Sequence, residues 1–215
     1  MTYPAPGEPP AYPVRFDVSP HLTGRDRVTV GFRLILVIPH MIILGGFGAF
    51  AFGGGRGGLE AAGALGSAAF AMAFIAWFAI VFNGTQPRGL WEFAAYYLRW
   101  WTRVSLYLSL LRDEYPPFGD EPYPMMFELR PPETARNRVT VGFRFILVIP
   151  QIIVLFFVDF AWVITTIISW FAIIFTGRFP EDFYRFGVGV LRWNVRVQAY
   201  VLLLRDEYPP FHLEP

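Results

Sequence analysis

The sequence contains no cysteine and no lysine. The lack of cysteine excludes disulfide bonds, thiolate catalysis and cysteine-ligated metal sites. All 18 basic residues are therefore arginine, and 17 acidic residues leave a formal net charge of only +1. Two explanations of the arginine bias remain open. Arginine binds phosphate with a planar fork, which would suit lipid headgroups, and a GC-rich genome would also favour arginine codons.

Charge of either sign is scarce. Charged residues make up 16% of the chain and hydrophobic residues 54%, whereas soluble proteins average about 25% charged residues. The charges cluster in a few segments and leave long apolar stretches between them, which indicates a membrane protein. Residues 1–13 are rich in proline and contain no apolar run. No cleavable signal peptide is therefore predicted, and the first hydrophobic helix is expected to direct insertion.

Signatures of catalysis are also missing. The chain has no G-x-S-x-G elbow, no H-E-x-x-H motif and no Walker A loop. Its three histidines, His21, His40 and His212, are too dispersed in sequence to predict a metal site. Acidic residues balance the arginines, which disfavours nucleic-acid binding. We therefore expect a protein that is not an enzyme, holds no cofactor or metal, and binds no nucleic acid.

Most of the chain is an internal repeat. Three blocks of the first copy, VTVGFR-ILVIP, WFAI-F-G and LRDEYPPF, return almost unchanged in the second. They occupy residues 28–39 and 139–150, 77–84 and 170–177, and 111–118 and 204–211. The copies are 111 residues apart at the first block and 93 apart at the other two. The first copy therefore has 18 additional residues, which we assign to a glycine-rich insertion at residues 45–66.

The repeat divides the chain into two modules, each opening with a short segment in which every second residue is apolar. Such alternation predicts a strand, and two strands, one from each module, would pair into a ribbon at the membrane surface. Two extended linkers are the alternative. The predicted parts are a proline-rich tail (1–11), a first module (12–118), a linker (119–122), a second module (123–211) and a tail (212–215).

The apolar core of each module predicts a transmembrane hairpin. In the second copy, residues 139–175 are interrupted only by Arg144 near the start and Asp159 at the middle. A single span needs about 20 helical residues, so this stretch is too long for one helix, and we expect a turn near Asp159. The insertion of the first copy, with Arg56 and Glu60, falls at the corresponding place, where insertions are tolerated. A re-entrant hairpin that does not fully cross is the alternative.

A further helix follows each hairpin, at residues 88–111 and 181–204. Its charged residues are spaced by four, seven and four positions in both copies, which places them within about 60° of the helix circumference. A narrow charged stripe opposite an apolar face is typical of a helix lying in the membrane interface. The predicted fold class is an all-α membrane protein of two tandem modules, each a transmembrane helical hairpin plus an interfacial amphipathic helix, with a short N-terminal strand per module.

The distribution of arginine predicts the orientation. If both hairpins turn on the same side, that side carries only Arg56, and the other 17 arginines lie on the opposite side. We expect both termini to be cytoplasmic. Each module would then cross an even number of times, and the copies would be parallel repeats related by a pseudo-twofold axis along the membrane normal.

Two polar residues lie within the predicted spans. His40 follows Pro39 and Gln151 follows Pro150, and polar groups at membrane depth are candidate functional residues. They could line a path for an ion or a lipid. Alternatively, they hydrogen-bond to backbone groups freed by the prolines or to each other across the pseudo-twofold axis.

The arginine stripes supply the second group of candidates. They are predicted to face cytoplasmic headgroups, where each basic residue contributes about 1 kcal/mol of binding to an anionic surface, with tryptophans as interfacial anchors. The candidates are Arg99, Arg103, Arg192, Arg196, Trp100, Trp101 and Trp193. General membrane anchoring, recognition of anionic lipids, and docking of another membrane protein or of a second copy of the chain remain open.

The three paired blocks resemble the bacterial membrane family catalogued as domain of unknown function 4389, once per copy. This resemblance implies a membrane protein without an assigned activity and carries over no site residues. Two functional hypotheses follow: an accessory or scaffolding subunit of a membrane complex, and a small lipid- or ion-handling transporter or channel with a path at the pseudo-twofold axis. His40 and Gln151 distinguish them, because only a conduit would depend on these side chains.

Overall fold

The computed structural model describes residues 12–45, 63–132 and 136–214. The proline-rich tail and most of the predicted insertion, with Arg56 and Glu60, lie outside these ranges. Within them, three helices are long and apolar enough to cross a membrane, Arg27–Leu44, Gly63–Asn83 and Arg144–Thr176. By length and composition, the chain is a membrane protein.

Both copies contain the same succession of elements: a strand, a helical segment at the first repeat block, a long apolar helix and a second long helix. In the first copy these are β1 (Val14–Asp17), α1 (Arg27–Leu36), α2 (Ile38–Leu44), α3 (Gly63–Asn83) and α4 (Arg88–Leu108). In the second copy they are β2 (Met126–Leu129), α5 (Arg138–Gly142), α6 (Arg144–Leu147), α7 (Ile149–Thr176) and α8 (Glu181–Val201).

Helices α1 and α5 begin at equivalent caps. The carboxylate of Asp26 accepts hydrogen bonds from the backbone nitrogens of Val28 and Thr29, at 3.0 and 3.3 Å. In the second copy, the amide oxygen of Asn137 accepts from the two corresponding nitrogens at 3.1 and 3.2 Å. Asp and Asn are favoured caps because their side-chain oxygen satisfies helix donors that have no partner within the helix. The first repeat block therefore starts a helix for the same local reason in both copies.

The two predicted strands pair. Strand β1 runs antiparallel to β2, with Val14 opposite Leu129 and Phe16 opposite Phe127. Val14 and Phe16 are buried, so the alternating apolar residues of β1 cover the helices below. Of the two alternatives, the ribbon is confirmed.

The predicted turn near Asp159 is wrong. Helix α7 runs without interruption from Ile149 to Thr176 and ends at Gly177, which has the left-handed conformation of a helix C-cap. The Asp159 carboxylate accepts a hydrogen bond from the Asn194 side chain in α8 at 2.7 Å. Because the Asp159 carboxylate is hydrogen-bonded inside the protein, it does not need a turn that would expose it to water.

In the first copy, the same helix is divided in two. Helix α2 has 7 residues and α3 has 21, and together they equal the 28 residues of α7. Gly63, the first residue of α3, lies directly against the end of α2, since a Cβ on Gly63 would stand 2.7 Å from the carbonyl oxygen of Ile43. Leu44 corresponds to Leu155, and Gly63 corresponds to Phe156. The 18 additional residues of the first copy therefore fall between Leu44 and Gly63.

The copies pack against each other reciprocally. The indole nitrogen of Trp170, near the end of α7, donates to the carbonyl of Val30 in α1 at 3.0 Å. The indole nitrogen of Trp77, near the end of α3, donates to the carbonyl of Val141 in α5 at 2.9 Å. Trp77 corresponds to Trp170 and Val30 to Val141, so each copy donates to the other through the same residue, as a pseudo-twofold relation requires.

The second long helix of each copy lies in the core. Residues 100–107 of α4 and 187–200 of α8 are buried without exception. Consecutive buried residues cover every side of a helix, so these parts of α4 and α8 are enclosed by protein. The expected exposure of the arginine stripes is therefore corrected for Arg103, Arg192 and Arg196, which are buried.

Large apolar side chains are exposed on the helices that precede α4 and α8. They include Val28, Phe32, Ile35 and Ile42 of the first copy, and Phe157, Phe160, Phe171 and Phe175 of the second. Exposed apolar patches on this scale mark surfaces that another apolar phase covers. Lipid is that phase for helices of this length and composition.

Candidate functional site

Each copy contains a cluster of two buried arginines and one partly buried aspartate. In the first copy, Asp113 of the LRDEYPPF block receives Arg25 and Arg33, each with a nitrogen 2.6 Å from the same carboxylate oxygen. In the second copy, Asp206 receives Arg136 at 2.8 Å and Arg144 at 2.6 Å. These arginine nodes join the first and last repeat blocks of a module.

The same arginines also close the ends of the core helices. Arg33 donates to the carbonyls of Tyr107 and Arg112, both at 3.0 Å, and its guanidinium lies 4.4 Å from the centre of the Tyr107 ring. Arg144 donates to the carbonyls of Tyr200 and Arg205, at 2.9 and 3.0 Å. The last carbonyls of a helix have no partner within it, and a planar guanidinium can bind several at once.

The chemistry of the nodes is structural. Burial raises the pKa of the Asp113 carboxyl, but hydrogen bonds and charges from Arg25 and Arg33 outweigh it, and the pKa lies below its ordinary value. The Asp113 carboxylate is therefore ionised at neutral pH, where it serves as an ion-pair partner. The sequence indicates that the acidic pair of the LRDEYPPF block can meet arginines of its own module, but it does not identify Arg33 and Arg144 as the partners. Arg33 lies within a repeat block, and Arg144 interrupts an apolar run. The signal was the coincidence of an arginine and an aspartate in two blocks that both repeat.

His40 and Gln151 are buried, each within its own copy. The Nδ1 atom of His40 accepts a hydrogen bond from the Trp100 indole nitrogen at 3.2 Å, and its ring stacks on Phe118 with centroids 4.1 Å apart. The Gln151 side-chain oxygen accepts from the Trp193 indole nitrogen at 2.8 Å. Its amide nitrogen donates to the carbonyl of Pro209 at 2.6 Å.

The alternative in which His40 and Gln151 bond to each other is therefore wrong. Each side chain faces a tryptophan of the core helix and the YPPF segment of its own copy. Tyr115 completes the enclosure of His40, with ring centroids 5.1 Å apart. The polar residue after each proline thus anchors the last repeat block to the second long helix.

The arginine stripes bond to loops and to the ribbon. Arg99 binds Asp120 at 2.7 Å, and Arg103 donates to the carbonyl of Gly119 at 2.7 Å. Arg192 donates to the carbonyls of Phe16 and Leu213, at 3.1 and 2.8 Å. The Arg196 guanidinium lies 5.6 Å from the centre of the Tyr12 ring. Among the seven predicted stripe residues, only Arg99 is partly exposed; the buried ones are Trp100, Trp101, Arg103, Arg192, Trp193 and Arg196.

Two grooves flank the ribbon in equivalent positions. One, of about 760 Å³, lies between α8 and the segment that follows β1. The other, of about 610 Å³, lies between α4 and the segment that follows β2. Each groove thus combines a core helix of one copy with a loop of the other. We name them the α8 groove and the α4 groove.

The exposed charges of the grooves form pairs along the helices. Arg185 pairs with Glu181 in the α8 groove. Arg88 pairs with Glu92 at 2.9 Å in the α4 groove. In the three ranges that the structure describes, no group of three His, Asp or Glu side chains is placed to hold a metal ion. The grooves are therefore surfaces of mixed charge.

Comparison with known proteins identifies a family but no individual relative. No curated protein and no solved structure matches the chain. The family model described as Domain of unknown function (DUF4389) matches residues 60–119 and 138–212, which is more than half of the chain. The first match begins just before α3, and the second includes α5 to α8. The chain therefore belongs to this family and contains it in two tandem copies.

Proposed function

We propose that this protein is a non-enzymatic scaffolding subunit of a membrane complex, held in the membrane by its apolar helices and docking a partner protein in the α4 and α8 grooves. The observation that carries the proposal is that both copies use the equivalent node arginines, and the polar residue that follows each proline, in equivalent internal bonds. The arginine nodes close the core helices, and His40 and Gln151 anchor the last repeat blocks. Such a molecule offers rigid surfaces rather than a reacting centre.

A conduit for ions or lipids is the competing function. It would need His40 and Gln151 to line a shared path. Each side chain is instead enclosed by aromatic residues of its own copy and bonded to a tryptophan at 3.2 or 2.8 Å. This geometry supports a packing role and favours the scaffold.

The grooves suit a partner that presents charges of both signs. Each contains a helix turn with an arginine and a glutamate four residues apart, and each is built from both copies. A partner that occupied both grooves would bind only when the two copies are packed in this arrangement. Rim charges of this kind steer association and set specificity more than they set affinity.

We also propose that the protein lies in a bacterial plasma membrane with the ribbon and both termini cytoplasmic. The unbroken α7 removes the hairpin on which the arginine count rested, so labelling from the two sides of the membrane is the test of this orientation. A cysteine replacing Gly55 should be labelled from outside intact cells, and one replacing the exposed Glu121 should not. Glu121 is a better site than Gly119, whose φ of 120° would strain a side chain. The reverse labelling pattern would overturn this orientation.

Native mass spectrometry after mild extraction tests the scaffold. We expect a second polypeptide at a fixed stoichiometry. Arg88→Glu combined with Arg185→Glu should release it, because both grooves then carry like charges, whereas the matched variant with lysine at both positions should retain it. A chain that carries no second polypeptide, or a self-associated chain alone, would contradict a hetero-complex.

A further inference from the structure

A cleft of about 490 Å³ opens where α1 begins and α7 ends. Its walls come from both copies: Thr23, Arg25 and Arg27 from the first, and Thr176, Gly177 and Arg178 from the second. Backbone hydrogen bonds join the walls, from the nitrogen of Phe179 to the carbonyl of Leu22 at 2.9 Å and from the nitrogen of Arg25 to the carbonyl of Gly177 at 3.4 Å. The cleft is therefore a fixed junction between the copies.

The charge of this cleft is positive. Arg25 is buried and bonded to Asp113 in the arginine node, but Arg27 and Arg178 are exposed. None of the described residues that line the cleft is acidic, and neither exposed arginine forms an ion pair within the described part of the chain. The nearest acidic residue in sequence, Asp26, uses its carboxylate to cap α1.

A glycine positions one of the two guanidinium groups. Gly177 has a φ of 70°, and a Cβ there would stand 3.1 Å from a guanidinium nitrogen of Arg27. Arg27 therefore lies flat against the backbone at the end of α7. The second copy repeats the arrangement, since a Cβ on Gly84 would stand 2.7 Å from a guanidinium nitrogen of Arg138. The glycine that ends the WFAI-F-G block thus has two roles in each copy. It adopts the positive φ of the turn, and its lack of a side chain leaves room for an arginine.

The cleft adjoins the exposed apolar surface. Val28, next to Arg27, is 69% exposed, and Phe175, three residues before Arg178, is 74% exposed. Phe32 and Phe171 continue this surface along α1 and α7. A ligand with an anionic head and apolar chains would match both features, because guanidinium groups bind phosphate oxygens in a fork and the helices would otherwise meet water with large apolar side chains.

We propose that the cleft binds the phosphate of an anionic phospholipid between Arg27 and Arg178, with the acyl chains along α1 and α7. A free phosphate ion would use the same two guanidinium groups but would leave the apolar faces uncovered. This site is separate from the α4 and α8 grooves and does not depend on the scaffold function.

The test is native mass spectrometry of delipidated protein in an uncharged detergent, titrated with phosphatidylglycerol, phosphatidylcholine or inorganic phosphate. We expect phosphatidylglycerol to bind most tightly. Arg27→Gln combined with Arg178→Gln should weaken its binding roughly 30-fold, since each basic residue contributes about 1 kcal/mol. The control is Arg15→Gln combined with Arg130→Gln, which removes two exposed arginines of the ribbon and should leave binding unchanged.

Asp26→Asn supplies a variant in the opposite direction. Asparagine caps the equivalent helix in the second copy, so the substitution keeps the cap and removes a negative charge beside the cleft. It should tighten phosphatidylglycerol binding roughly fivefold. Equal binding of phosphatidylcholine, equally tight binding of inorganic phosphate, an equal loss in the ribbon control, or an unchanged affinity in a folded Asp26→Asn variant would each overturn the proposal.

Discussion

The two copies share the arginine nodes and differ in the long helix that packs beside them. Asp113 and Asp206 each receive two arginines at 2.6 to 2.8 Å. Helix α7 is continuous and holds Asp159 at its middle, whereas the first copy divides this helix between Leu44 and Gly63. In both copies, arginines bind the carbonyls at the end of the core helix, and this feature is common to the two modules. The course of the apolar helix varies between the copies.

Breaking either node should give the largest effect. Asp113→Asn or Asp206→Asn leaves two buried guanidinium groups without a charged partner, and removing one member of a buried ion pair costs about 3–5 kcal/mol. Both variants should therefore unfold at clearly lower temperature in an uncharged detergent. Glu121→Gln, at an exposed position, is the control. A loss confined to one of the two nodes would show that they are not equivalent.

Removing the polar side chain after each proline should have a smaller effect. His40→Leu and Gln151→Leu each leave a buried tryptophan N–H without its acceptor, which costs about 1–3 kcal/mol. His40→Gln should cost less, since glutamine makes this bond in the second copy. Thermal unfolding measures the stability, and ion flux in vesicles checks function. Flux that the wild type supports and these variants abolish, with folding intact, would favour the conduit.

Acid should weaken the node of the first copy. The pKa of Asp113 is lower in the folded than in the unfolded protein. Its ion pairs therefore contribute fully to the free energy of unfolding above the ordinary pKa of 3.8. That contribution is lost as the pH falls through the lower folded pKa. The difference in unfolding temperature between wild type and Asp113→Asn should stay constant from neutral pH to about pH 5 and shrink below about pH 4. A difference that persists in stronger acid would mean that Asp113 stabilises the fold by packing instead.

Making the first copy resemble the second should have the smallest effect. Deletion of residues 45–62 joins Leu44 to Gly63 in the register of Leu155 and Phe156. Because Gly63 already lies against the end of α2, we expect a folded protein whose unfolding temperature changes by only a few degrees, equivalent to about 1 kcal/mol. Circular dichroism and thermal unfolding in detergent would check this. Loss of the folded protein would show that α2 and α3 cannot form one helix.

Local pattern was sufficient for several elements. Alternation at residues 12–18 and 123–129 predicted strands, and the ribbon is present. Apolar runs predicted two membrane spans in each copy, and three helices of the described residues are long and apolar enough to cross a membrane. The turn near Asp159 failed for a physical reason: a charge inside an apolar run is compatible with a turn to water or with a buried partner. The partner, Asn194, lies 35 residues away.

By itself, the sequence determined the class of protein and the repeat, which follow from the length of the apolar runs and from the identical blocks. The starts of α1 and α5 are also local, because each cap bonds to the backbone two and three residues later. Tertiary structure alone decided which groups bind the buried arginines. Arg33 and Asp113 are 80 residues apart, and Arg192 meets the carbonyl of Phe16 across 176 residues. An arginine on a helix can be satisfied by lipid phosphate, by a carboxylate or by backbone carbonyls. Packing within a copy brings the node carboxylates into reach, and packing between the copies brings a carbonyl such as that of Phe16.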